Sequence, residues 1–448
     1  MKESVPEELL KRLKKARDIV RKEKGFIRIV SHYDADGICA AGVLCHALLR
    51  KDKKFQTKLT SNLKDDYIDY LKEEEFPVTI FCDMGSGQFS NLKDLQGQVI
   101  ILDHHKPIED SEDPLQINTH FFGLDGTSEI CASSLAFMFS LVLDDTNWDL
   151  SALALAGCIG DKQHINGLYG YNAYMVDEAV ERGIVDFTDT LNLNGSTVKK
   201  ALVEGLDPFI CGMSGREAKV AEFLNKLNLD PDAKVQELDD DQRRTLASAV
   251  IVKLLAQGVR PERAEAFITK RFWLPQWNLH ADDLSNYVNA CGRMKRMGLG
   301  LALCLGDERA LSEAIALRKA YKDELRAGLL FLESEGAHEM DNIQFLYTEN
   351  PSLAGANAGL GMMYILNQEK PTFSLSVTQR DTKVSSRGTN YLISKGLDLA
   401  SACRTAAEKV GGKGGGHPIA SGATIPLGKE EAFLALLDDI VGKQIKGS

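Results

Sequence analysis

The sequence predicts an α/β protein built on a parallel sheet, and three observations lead there. Three short β-rich runs each close on acids: residues 26–37 (FIRIVSHYDADG), 78–87 (VTIFCDMGSG) and 99–105 (VIILDHH). Apolar runs of this length read as strands buried on both faces, which is the condition of parallel pairing. Segments with helical spacing follow them, and in open α/β sheets ligands gather where such strands end.

Taken in order, residues 7–24 form a highly charged helical segment whose basic side chains suit a solvated face. After the first strand, Asp36 and Gly37 open an apolar helical stretch, ICAAGVLCHALLR. Asp36 therefore stands near a helix N-terminus, where unpaired N–H groups and the macrodipole favour anions. His46, inside that helix, reads as a packing residue. Residues 55–60 suggest a second strand and 65–75 a charged helix. The run 78–82 delivers Asp83, and Gly85, Ser86 and Gly87 allow close backbone approach to a ligand. The third run ends on Asp103, His104 and His105. A polar loop (106–114) and a short strand near 115–122 follow. Next, DGTSEICASSLAFMFSLVL starts as a cap-rich turn, with Thr127 or Ser128 as N-cap, and continues as a buried helix. The Ala-rich helix LSALALAGCIGDKQ reaches Asp161, which is either a loop residue or a further contributor to an acidic pocket.

Residues 186–320 read as a mainly helical insert leading into a long connector helix. Asp207-Pro208 marks a break within it, LDDDQRRTLASAVIVKLLAQG a capped helix, and Phe272, Trp273 and Trp277 packing beneath a loop. The α/β pattern then resumes with IQFLYT and a hairpin, PTFSLSVTQRDTKVSSRGT. Between residues 371 and 425 seven Lys and Arg stand against three acids, and a polyanion would land there. Residues 411–417 (GGKGGGH) read as a glycine-rich loop that offers N–H groups to a phosphate; no GK[ST] follows, so it is not a Walker loop.

Bulk properties bound the function. At 448 residues, with 44% hydrophobic and 26% charged content, the chain can bury the cores of two or three domains. No apolar run approaches a membrane span and the N-terminal stretch lacks a signal-peptide core, so a cytoplasmic protein without membrane contact is expected. Nine cysteines without a CxxC pair suit a reducing compartment and argue against a zinc ribbon. A net charge of −11 disfavours indiscriminate nucleic-acid binding; a polyanionic substrate must be met by a local basic patch or by metal ions.

His32, Asp34, Asp36, Asp83, Asp103, His104 and His105 all fall at strand ends. Each alone is an ordinary turn, cap or structural residue. Together, so many carboxylates would repel one another and take up protons unless cations neutralised them, and a dinuclear metal site removes that conflict.

The ordered set SHYDADG, FCDMGSG, LDHHKP and GCIGDKQ resembles the four motifs of the DHH phosphoesterase superfamily, which includes RecJ-type exonucleases, oligoribonucleases, cyclic-dinucleotide phosphodiesterases and family II inorganic pyrophosphatases. KVSSRGTN and GGKGGGHPIASGATIP resemble the two motifs of the DHH-associated domain. Overall length, LDPFICGMSG and LSNYVNACGRM are most similar to archaeal RecJ-like proteins. The resemblance implies that His32 and Asp34 hold one divalent ion, Asp36, His104 and Asp161 a second, and Asp83 both. It implies Asp103 as the residue orienting His104, and His105 as the one facing the scissile phosphate. Manganese suits the mixed ligands, with magnesium or cobalt as alternatives. Ser385, Ser386, Arg387, Gly414, Gly415, Gly416 and His417 would grip a nucleotide phosphate. The implied organisation is a catalytic DHH domain (1–190), a mainly helical insert (191–307), a connector helix (308–335) and a smaller α/β DHH-associated domain (336–448). The implied activity is single-strand-specific exonuclease action on DNA or RNA in replication or repair, with contact to the GINS complex. Alternatives are a phosphodiesterase for short oligonucleotides or cyclic dinucleotides, and a replication scaffold with little or no catalysis.

Overall fold

The structure, a computed structural model, describes residues 5–165 and 167–446. Helix α1 (Glu7–Lys22) turns Leu9, Leu13, Ala16 and Val20 inward at helical spacing. It is followed by β1 (Phe26–His32), α2 (Ala35–Leu49), β2 (Lys54–Thr60), α3 (Asp65–Glu73), β3 (Val78–Cys82), α4 (Phe89–Leu92), β4 (Gln98–Asp103) and β5 (Leu115–Asn118). These strands form a five-stranded sheet in the order β2-β1-β3-β4-β5, parallel throughout. Alternation along each strand feeds two cores. Ile27, Ile29, Ile80, Cys82, Ile100 and Leu102 join α1 and α2 on one face; Val30, Phe81, Val99 and Ile101 join α3 and α4 on the other. Because both faces are covered, the strands read as unbroken apolar runs. The strand order reverses between β1 and β3, and the carboxyl ends beside that point are where such sheets take their ligands.

Helices α5 (Ala132–Leu143), α6 (Ser151–Gly160) and α7 (Gly170–Glu181) complete the first stretch. The chain then runs through β6 (Asp186–Leu191), α8 (Val198–Glu204), α9 (Glu217–Lys226), α10 (Asp240–Ala256) and α11 (Pro261–Glu265). It continues along β7 (Ile268–Leu274) and β8 (Leu279–His280) into α12 (Ala281–Arg293) and α13 (Met297–Cys304). Two units result: residues up to Asp189 with Lys270–Ala320, and Thr190–Thr269 with residues from Tyr321 onward. The segment 191–307 is therefore divided between the two units, and besides its helices it holds β7 and β8, which with β6 make a three-stranded sheet. The reason is the apolar character of α2 and α6, which bury almost every residue and need cover on several sides. Ala281, Leu284, Val288 and Cys291 of α12 supply it within the same core. The aromatics near residue 272 lie on and just after β7 instead of beneath a loop, with Phe272 buried in that core.

Helix α14 (Glu308–Glu335) leads to the second unit's β9 (His338–Glu339), β10 (Gln344–Tyr347), α15 (Pro351–Tyr364), β11 (Thr372–Val377), β12 (Thr382–Arg387), α16 (Asn390–Ser394), α17 (Leu399–Lys409), β13 (Lys413–Gly416), β14 (Ala420–Ile425) and α18 (Glu430–Lys446). Its six-stranded mixed sheet runs β13-β14-β12-β11-β10-β9, with β10 and β11 parallel and the other pairs antiparallel. The glycine-rich stretch, expected as a loop, is an edge strand. Glycine is required at 414 because a β-carbon there would collide with the Cys403 carbonyl of α17. Among the described residues no helix is long and apolar enough to cross a membrane.

Candidate metal centre

The HxDxDG stretch is shaped by its own hydrogen bonds. Asp34 is the N-cap of α2 and accepts from Gly37 N at 3.1 Å. A β-carbon on Gly37 would stand 2.7 Å from that of His32, so the turn admits only glycine. Asp36, in the first turn of α2, is 3% exposed and accepts from Ala132 N (2.8 Å) and Ser133 N (2.9 Å). These are leading N–H groups of α5, whose own N-cap, Cys131, makes no side-chain cap bond. The cap comes from another helix. Thr127 and Ser128 were expected to cap α5; they hydrogen-bond Asp125 instead.

Asp83 follows β3 in the left-handed region, at φ 59°, a conformation that costs a non-glycine residue about 1–2 kcal/mol. Its N–H still donates to Leu102 O, so the sheet carries the strained turn. Asp103, 1% exposed at the end of β4, accepts from Ser86 N, His104 N, His105 N and His105 Nδ1 at 2.8–3.1 Å. Burial opposes its ionisation, but the His105 bond and charge hold its carboxyl well below the usual range. An ionised carboxylate only accepts, so Nδ1 of His105 carries the proton. Asp103 meets His104 at its backbone N–H. The His104 ring donates from Nδ1 to Gly126 O at 2.6 Å, which turns Nε2 toward Asp83.

The candidate ligands converge. His104 Nε2 lies 3.2 Å from Asp83 Oδ1 and 3.8 Å from Asp36 Oδ2, and His104 Nδ1 is 3.8 Å from Asp161 Oδ2. His32 Nδ1 is 2.9 Å from Asp34 Oδ2 and 3.3 Å from Asp83 Oδ2, yet this buried nitrogen has no partner in hydrogen-bond alignment. Ligand atoms of His32, Asp34 and Asp83 lie within 4.8 Å of one another, as do those of Asp36, His104 and Asp161 and those of Asp83, His104 and His105. Asp83 offers Oδ2 to the first set and Oδ1 to the second. Without a cation the cluster retains protons. Burial and the Asp83 charge raise Asp36; burial, with Asp36 and Asp83, pushes Asp161 up to about 7 against the pull of His104. His32, against its own burial, is held protonated to about 11 by Asp34 and Asp83. An imidazole nitrogen without an aligned partner among acceptor oxygens is a donor set that fits a divalent cation.

Residues 26–158 match the DHH family, N-terminal domain, and residues 344–443 the DHHA1 domain. An uncharacterized protein of Methanocaldococcus jannaschii is 32% identical over 449 residues, covering 98% of each chain. The chain belongs to the DHH superfamily. This DHH protein has a RecJ-like fold: RecJ from Thermus thermophilus, solved in complex with Mn2+, superposes with a TM-score of 0.64 at 18% identity. That match covers 98% of this chain but spans only 55% of the longer Thermus protein. CDC45 from Entamoeba histolytica superposes with a TM-score of 0.68 at 12% identity, over 97% of this chain and 98% of that one.

Several residues of the DHH protein's site escaped the sequence reading. Arg293, at the end of α12, donates to Tyr33 OH at 2.6 Å and helps keep Asp34 ionised. Gly126 and Ser133 contact the ligands through backbone groups that no local motif announces, and Gln163, the last residue of GCIGDKQ, bonds Asp161 and Gly126 O. In the second unit, Ser385 and Arg387 share one face of β12, while Ser386 is buried and meets Cys403 on the other. Ser385, Gly422 and Gly415 align across β12, β14 and β13, as do Lys383, Thr424 and Lys413. Gly355 of α15 leaves room for the Arg387 guanidinium, which a β-carbon there would meet at 2.5 Å. His417 sits in the exposed turn joining β13 to β14. Ser386 and Gly414 thus stand apart from the other expected phosphate contacts.

Proposed function

We propose that this protein is a two-metal phosphodiesterase acting as a cytoplasmic exonuclease on single-stranded DNA or RNA. One observation carries the reading: the two oxygens of Asp83 face separate ligand sets, His32 with Asp34 and Asp36 with His104 and Asp161. His32, Asp34 and Asp83 would hold one ion, and Asp36, His104, Asp161 and Asp83 the other. Manganese fits the donors, magnesium or cobalt being alternatives. Cations held there would supply activation of the attacking water and neutralisation of phosphoryl charge. His105, locked by Asp103, would contact the phosphoryl group as a hydrogen-bonding residue, and no side chain is needed as nucleophile. Ser385, Arg387, Gly415, Gly416 and His417 would grip the nucleotide phosphate, Ser386 and Gly414 supporting the sheet beneath. Contact with the GINS complex, implied by the family resemblance, is the protein interaction to seek by co-purification.

The test is incubation with Mn2+ and end-labelled single-stranded DNA and RNA of matched sequence, beside a dinucleotide, with Asp83→Ala as control. Stepwise shortening from one end by the wild type alone supports the reading. Cleavage of the dinucleotide alone makes it a short-substrate phosphodiesterase. Metal binding without cleavage makes it a scaffold, a reading that the fold likeness to CDC45 supports.

A further inference from the structure

Behind the acidic cluster runs a buried chain of amides. Gln163, 4% exposed, donates both protons of Nε2: one to Asp161 Oδ2 at 2.8 Å and one to Gly126 O at 2.8 Å. Gly126 O is the same atom that accepts from His104 Nδ1. One side chain thus ties together Asp161 and the carbonyl that orients His104. Its own Oε1 accepts from Asn172 Nδ2 at 2.7 Å, and Asn172 Oδ1 accepts from Ser134 Oγ at 2.5 Å, both residues being wholly buried. The direction of this chain is not free. A carboxylate and a carbonyl only accept, so the Gln163 amide must present nitrogen to them and oxygen to Asn172, and Asn172 must do the same toward Ser134. Lys162 has φ 61°, so a left-handed residue separates Asp161 from Gln163 and lets both side chains turn to the same side. A β-carbon on Gly126 would collide with the His104 carbonyl, so the loop bearing the shared acceptor can approach this closely only as glycine.

We propose that Gln163 is a positioning residue that sets Asp161 and His104 at their working separation as ligands of one ion, with Asn172 and Ser134 fixing its amide. This inference rests on the two-metal reading of the site. Residues that orient metal ligands through hydrogen bonds typically contribute 10–100-fold to metal affinity.

The experiment is Mn2+ titration of the metal-free full chain by calorimetry, for wild type, Asp161→Ala, Gln163→Met and Asn172→Leu. Wild type is expected to bind two ions. Gln163→Met should weaken one of them about 10–100-fold, the one that Asp161→Ala also weakens, and leave the other unchanged. Asn172→Leu, which touches neither ligand, should weaken the same ion by a smaller factor. Metal-free Gln163→Met should still fold, at a lowered melting temperature, since Asn172 Nδ2 loses its acceptor while Gly126 O keeps its bond from His104. A Gln163→Met protein that fails to fold makes Gln163 structural and overturns the proposal, as do two unchanged affinities or equal loss at both ions. A wild type that binds no Mn2+ removes the metal reading itself, and the proposal with it.

Discussion

Gly157→Ala is expected to destabilise the metal-free protein by about 2–4 kcal/mol, net of the roughly 1 kcal/mol by which alanine is the better helix former. Gly157 lies in α6, and a β-carbon there would overlap Ser133 Oγ, come within 2.6 Å of Ser133 Cβ and stand 2.9 Å from Asp36 Oδ1. Three losses follow. Overpacking a filled interior costs about 1–3 kcal/mol. The Ser133 Oγ bond to Ala154 O, 3.0 Å long, is worth about 1 kcal/mol. Moving Asp36 off the N–H groups of Ala132 and Ser133 removes a cap worth about 1 kcal/mol. Gly298 is the control, a glycine of α13 whose added β-carbon would meet nothing within 4 Å. Gly298→Ala should be neutral or stabilise by up to about 1 kcal/mol. The assay is denaturant unfolding of both variants without metal, followed by Mn2+ titration, in which Gly157→Ala should also bind more weakly. If both substitutions shift stability by the same amount, or Gly157→Ala binds Mn2+ as wild type does, the account of Asp36 as a shared cap and ligand is refuted.

Three further outcomes are expected. Manganese uptake should release more protons at pH 6 than at pH 8, because Asp161 keeps its proton up to about 7 while His32 stays protonated at both; calorimetry in buffers of different ionisation enthalpy reads this, and equal release at the two pH values would contradict it. The same raised carboxyl makes a stability contribution to the metal-free protein that is complete below the ordinary carboxylate pKa and lost as pH rises through about 7, so melting at pH 8 should fall below that at pH 6 unless metal is added. All nine cysteines are free, and Cys211 alone is not fully buried, its thiol pushed up to about 11 by burial and Glu333; a native thiol assay should report one slow site, and a denatured assay nine.

The local features of this chain were legible because they depend on near neighbours. The three strand ends and the placing of Asp36 near a helix start follow from the continuous apolar runs of β3 and β4 and from the change to helical spacing after β1. Other features were not legible, because their partners are distant along the chain. Arg28 sits in β1 wholly buried, donating to Thr79 Oγ1 and Leu71 O, where a run of Phe, Ile, Arg and Ile gives no hint of which face must accommodate the charge. Residues 270–320 join the first unit because α2 and α6 need a further apolar cover, which depends on how those helices pack. The glycines at 414–416 form an edge strand by pairing with β14, and residue 414 has to be glycine because a β-carbon there would meet the Cys403 carbonyl of α17.

What the sequence alone determined, then, is the set of chemical groups at the centre and the strands that deliver them, since both are written in short contiguous runs. Only the tertiary structure decided how those groups are held. Asp36 caps a helix that begins 96 residues later, and Gln163 reaches back 37 residues to the carbonyl that orients His104. Hydrogen bonds to backbone groups carry no side-chain signature at their accepting or donating end, so no residue type in the sequence marks where they will form.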